Sequence, residues 1–214
     1  MTTVPKRMAD LPRDRHGRIV PWFVAWPGGQ PDHRVADHHK FHQALRAGLC
    51  WLCGGVLGRH KAFVLGPMCA VNRVTAEPPS HRDCALHAVQ ACPFLTTPHM
   101  TRRTTGLPED HIDPAGVMIR RNPGAVGVWI THSYTVQHRA DGPLIEVGDP
   151  SEVLWYAEGR PATREEVLAA IDSGLPTLRE QAEAQGAFAV RQLLEEGYPA
   201  ALALLPATAT GEGA

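Results

Sequence analysis

Two short pairs of residues constrain this chain more than anything else in it. Cys50 and Cys53 stand in CWLCGG, and His81 and Cys84 stand in PPSHRDC. In the first pair Gly54 and Gly55 follow at once, and glycine permits the backbone angles of a sharp turn. Both thiols can then face one point. The second pair lies three residues apart where a helix is predicted to begin, which puts both side chains on one helical face. Four nitrogen and sulfur donors of this kind describe one tetrahedral ion, structural Zn2+ by preference. Four protein ligands leave no open position, so such an ion stabilises a fold and does not react.

Spacing narrows the choice of ligands. Cys84 and Cys92 are eight residues apart, about 12 Å along a continuous helix. The intervening ALHAVQA contains no helix breaker. The set is therefore Cys50, Cys53, His81 and Cys84, with Cys69 or Cys92 as substitutes for His81. A knuckle, a returning strand (AFVL, 62–65) and ligands at a helix start resemble a treble-clef zinc finger over about residues 49–92. The resemblance implies a structural zinc and covers this stretch alone.

Composition fits a soluble globular protein. Of 214 residues, 43% are hydrophobic and 20% charged, so one large domain, or a domain with a small appendage, is expected. No apolar run is long enough to span a bilayer. The start, MTTVPKRMADLPRDRHGR, lacks the apolar stretch of a signal peptide, so a cytoplasmic location is expected. Thiols stay reduced there, which favours metal binding over disulfides. Charge is uneven. Residues 1–150 carry 17 Lys+Arg against 12 Asp+Glu, whereas 151–214 carry 4 against 10. All twelve histidines and all five cysteines precede residue 140.

The pattern predicts an α+β fold: a small antiparallel sheet around a zinc-stapled helix, with a helical C-terminal segment. Four regions are expected: a flexible arm over 1–17, a zinc-binding domain over 18–150, an acidic helical region over 151–206 and a disordered tail over 207–214. Strands are expected at 18–26, 62–65, 144–147 and 153–156, with a hairpin pairing 117–121 with 126–134 across NPGA. Asp37 caps a helix running to about Gly48. Ser80 and Asp83 have capping-box spacing, and the helix they begin ends near Cys92, before Pro93. Thr163 and Glu166 repeat that spacing. Gly174 and Pro176 are expected to break the helix they start, with further helices over about 178–186 and 187–196.

Three other constellations bear on chemistry. Asp110, His111, Asn122 and His132 follow one another in the order of an HNH nuclease, which they resemble. That resemblance implies His111 as general base, Asn122 as a loop-orienting residue and His132 with Asp110 as metal ligands for phosphodiester hydrolysis. His38 and His42, at i and i+4, can face one ion, but the residue after His38 is His39 where a zincin requires glutamate. Cys69, with neighbouring histidines, would serve an enzyme acting on a small molecule. No phosphate-binding glycine loop and no G-x-S-x-G occurs. The sequence reads best as a zinc-stabilised protein that binds a macromolecular partner, nucleic acid or protein. An HNH-like nuclease and a Cys/His enzyme are the alternatives.

Overall fold

The computed structural model describes residues 3–109 and 111–207. A two-stranded hairpin, β1 (Val24–Ala25) and β2 (Asp32–Ala36), leads into helix α1 (His38–Ala47). Then come β3 (Lys61–Leu65), α2 (Pro67–Asn72), β4 (Val74–Thr75), α3 (Arg82–Ala91) and α4 (Pro93–Thr96). Strands β5 (Val126–Thr131), β6 (Tyr134–Arg139), β7 (Gly142–Val147), β8 (Pro150–Ala157) and β9 (Arg160–Pro161) follow. Helix α5 (Arg164–Gln185), α6 (Ala187–Gln192), a π turn over Leu193–Gly197 and α7 (Tyr198–Ala203) come last among the described residues, and the tail expected over 207–214 lies outside them from 208 on. The fold is α+β with small antiparallel sheets and a helical C-terminal segment, as the sequence predicts.

The central sheet has the order β3-β5-β8-β9, and every pairing is antiparallel. All six residues of β5 are buried. Successive strand side chains point to opposite faces. Val126, Val128 and Ile130 accordingly meet Ala85 and Val89 of α3 on one face. Trp129 joins Phe63, Trp155, Val167 and Ile171 on the other. The second face is covered by α2, by the C-terminal helices and by a smaller sheet of order β4-β7-β6. Sheet and helices thus close one core across residues 63–205.

Several local expectations change under tertiary packing. Of residues 18–26, only β1 forms a strand, because Pro21 caps a turn through its carbonyl to the Val24 N–H. Residues 67–72, to which no element is assigned from sequence, form α2, with Gly66 as N-cap and Pro67 in the first turn, where its missing N–H costs nothing. The expected 117–121 strand does not form. β5 instead takes β3 and β8 as neighbours. Ser80 does not cap α3: it bridges Ala62 at the edge of β3, and His81 occupies the N-cap position.

Helix α5 runs unbroken through Gly174 and Pro176. Gly174 has no Cβ, and a Cβ there would run into the Met68 side chain of α2, so the glycine lets the two helices pack closely. Pro176 deprives the Asp172 carbonyl of its N–H partner, and Arg121 Nη2 donates to the next carbonyl, that of Ser173, at 3.0 Å. The Thr163–Glu166 capping box is fully formed at the start of the same helix. Of the arm expected over 1–17, the described residues pack on the domain through Val4, Met8 and Leu11, and Arg7 pairs with Asp83. Met8 is buried with Cys50, Leu52 and Cys84. A lone methionine among polar residues carries no periodicity that would reveal this.

Candidate metal centre

The knuckle is a hairpin turn held by backbone hydrogen bonds. Cys50 N–H donates to the Gly55 carbonyl at 2.7 Å, and Gly54 N–H donates to the Cys50 carbonyl at 2.8 Å. Leu57 N–H closes the outer pair on the Gly48 carbonyl at 2.8 Å. Gly54 takes φ +74°, a left-handed geometry that other residues adopt at a cost. The turn is carried to α3 by a short ladder. Trp51 N–H donates to the Pro79 carbonyl at 3.0 Å, and Ala62 and Ser80 exchange hydrogen bonds at 2.8 and 2.7 Å. The pair on α3 therefore arrives beside the pair on the turn.

One donor atom each from Cys50, Cys53, His81 and Cys84 lies within 4.8 Å of all the others. A tetrahedral ion with bonds of about 2.3 Å to sulfur holds its ligands roughly 3.8 Å apart, so the four can hold a metal ion after small shifts. No disulfide joins them: all five cysteines are free. Among the described residues no other group of three or more histidine, cysteine or carboxylate side chains converges in this way.

The surroundings suit thiolates. Cys50 Sγ accepts hydrogen bonds from the N–H groups of Cys53, at 3.4 Å, and His81, at 3.3 Å. Cys50 is pulled far below the usual thiol range, first by hydrogen bonds from the Cys53 and Cys84 side chains. Those two are pushed up, because they donate to Cys50. A divalent cation held by the three sulfurs would allow all of them to ionise. His81 is oriented by its far nitrogen. Nε2 lies 3.0 Å from the Val56 carbonyl, which leaves Nδ1 facing the cysteines, 3.4 Å from Cys53 Sγ.

Other residues singled out in the sequence fall elsewhere. Asn122 is buried, and its Nδ2 donates to the carbonyls of Phe94, Leu95 and Thr97 at 2.7, 3.2 and 3.0 Å. It clamps the end of α4. His111 Nδ1 bonds the Pro108 carbonyl of its own loop at 3.0 Å, and its Nε2 stands 3.6 Å from Asp113. His132 packs on His60, ring centroids 4.7 Å apart. Each of the three belongs to a separate local network, and Asp110 lies outside the described residues. Burial pushes the Cys69 thiol up to about 11, and Glu77 adds to the effect. Among the described residues no histidine hydrogen-bonds Cys69. Cys92 is likewise raised by burial.

Two surface features could not be read from sequence. An irregular space of about 2280 Å³ is lined by residues from many elements, among them Trp51, Glu77, Arg102, Arg121 and Leu178. Beside the knuckle, Arg59, His60, Lys61 and His132 gather at the ends of β3 and β5. None of these four makes an ion pair among the described residues, and His132 is held below the usual imidazole range by desolvation and then by the other three. No helix among the described residues is long and apolar enough to cross a membrane.

Comparison with protein-family models, with curated proteins and with solved structures finds no match for this chain.

Proposed function

We propose that this chain is a zinc-stabilised binding protein whose partner is a macromolecule, nucleic acid or protein. The observation that carries this reading is the convergence of three cysteines and one histidine on one point. Soft thiolate ligands favour zinc over magnesium or calcium, and four protein donors leave the ion no position for substrate. The ion would act as a staple between the turn at 50–55 and the start of α3, in the manner of a treble clef. The cations beside the knuckle suit a polyanion.

Elemental analysis of purified protein tests the metal. About one zinc per chain is expected, and Cys53→Ser is expected to lose it together with most of the folding stability, because metal binding and folding are coupled. Wild-type protein that is fully stable without metal would overturn the reading. Labelled single-stranded oligonucleotides test the partner: binding that weakens steeply between 50 and 200 mM salt marks nucleic acid. Indifference to them leaves the protein partner.

A further inference from the structure

Helix α1 carries a second arrangement of ligands, distinct from the cysteine cluster. His38 and His42 stand one turn apart, and their Nε2 atoms lie 3.0 Å from each other. The rings meet edge to face with centroids 4.4 Å apart, and the two Nε2 atoms face each other at the surface of α1. Two imidazole nitrogens bound to one ion at about 2.1 Å, with an angle of about 90° between them, lie roughly 3.0 Å apart. That separation is the one already present.

We propose that His38 and His42 form an open, two-histidine site for a divalent transition metal of the nickel, copper and zinc group. Both imidazoles ligate through Nε2 in the neutral form, and water or a partner's donor group fills the remaining positions. The helix that presents them is rigid at both ends. Asp37 caps its start by accepting from Lys40 N–H at 3.1 Å, and Gly48 ends it in a left-handed turn. The Phe41 ring stands edge-on to His42 at 5.5 Å and to Trp51 at 5.8 Å, tying the pair to the knuckle. His38 is exposed, so an ion reaches the site without any rearrangement. His42 is poised to ligate at neutral pH: burial lowers its proton affinity first, and the neighbouring His38, Arg46, His39 and His138 lower it further. Of these, His138 comes from β6, a different element, and does not converge with the pair on one point.

The site differs in kind from the cysteine cluster. It offers nitrogen only, it is solvent-facing, and it leaves positions open. A metal here would exchange readily and could be shared with a partner.

The test is a calorimetric Ni2+ titration of full-length protein as purified, with its zinc content measured before and after. One saturable Ni2+ per chain is expected at pH 7.5, with the zinc content unchanged. His38→Ala and His42→Ala should each weaken that binding at least tenfold, and the wild-type affinity should fall as pH drops below about 6, where imidazoles protonate. His138→Ala, outside the pair, should leave it within about twofold of wild type. Circular dichroism of each variant checks that the fold is intact; if one alanine variant unfolds, His38→Gln or His42→Gln replaces it. Absence of saturable Ni2+ binding, or equal binding by folded wild-type and variant proteins, would overturn the proposal and leave the pair a hydrogen bond between two rings. Protein purified without zinc would count against the cysteine staple, yet the histidine variants would still decide this site.

Discussion

Gly54→Ala and Gly55→Ala, side by side in the knuckle, should behave very differently. A Cβ at Gly54 would stand 2.8 Å from Cδ1 and Cγ of the Trp22 ring, closer than real atoms approach. Position 54 also holds φ +74°. The left-handed backbone costs a residue with a Cβ about 1–2 kcal/mol. Displacing the indole adds overpacking of about 1–3 kcal/mol. Trp22 cannot simply follow its ring, because its N–H is held by the Leu52 carbonyl at 2.9 Å. The sum is roughly 2–5 kcal/mol, and each 1.4 kcal/mol is tenfold in an equilibrium constant, so zinc affinity should fall about thirtyfold to a few thousandfold. A Cβ at Gly55 would meet Cys53 Sγ at 3.5 Å and His81 Cε1 at 3.6 Å, ordinary contacts, and the backbone there is not left-handed. Its cost should stay below about 0.5 kcal/mol. Competition with a chelator of known affinity, followed by a zinc-sensitive dye, measures both variants. Wild-type zinc affinity in Gly54→Ala, or an equal loss in Gly55→Ala, would refute the reasoning.

Three further perturbations follow from particular contacts. Asn122→Ala should destabilise by about 1–3 kcal/mol, since it strips the shared donor from the carbonyls of Phe94, Leu95 and Thr97; thermal unfolding reads it, and an unchanged melting temperature would return Asn122 to other roles. Gly197→Ala should lower stability by about 1–3 kcal/mol despite a helical backbone, because its Cβ would lie 2.6 Å from the Val71 carbonyl of α2. Gly174→Ala should cost less, as only the flexible Met68 side chain must move, and a Gly197→Ala protein that melts higher than wild type would contradict the packing. The Arg160 guanidinium, bonded at 2.6 and 3.0 Å, holds the Glu166 carboxyl down to about 2. Since the folded value is depressed, the contribution of Glu166 is complete above about 4.5 and fades as pH falls toward 2. The melting-temperature gap between wild type and Glu166→Gln should therefore narrow from pH 5 to pH 2.5, and a gap that stays constant would argue against the pair.

How much of this was legible in advance depended on how local the controlling interaction is. The Asp37 cap, the stop at Pro93 and the Thr163–Glu166 box were all readable, because each is decided within one turn of chain. So was the C-x-x-C turn, whose glycines announce its backbone. The failures share one cause. Ser80 and Asp83 have the spacing of a cap, yet Ser80 is taken by the edge of β3. Residues 117–121 are apolar enough for a strand, yet β5 finds better neighbours in β3 and β8. Asn122 looked like a turn or nuclease residue, and neither reading foresaw the three carbonyls that surround it.

By itself the amino-acid order determined the fold class, the ends of α1, the start of α5, the stop of α3 and which side chains were chemically fit to hold a soft metal. Those are properties of residue type and of separations shorter than one helical turn. Only the tertiary structure decided that α5 passes unbroken through a glycine and a proline, that Met8 lies under the cysteines, and that two glycines of one turn do unlike work. In each case the outcome rests on a partner distant in the chain (Met68, Cys84 or Trp22), and a group that packs against or excludes an atom from across the fold outweighs local preference.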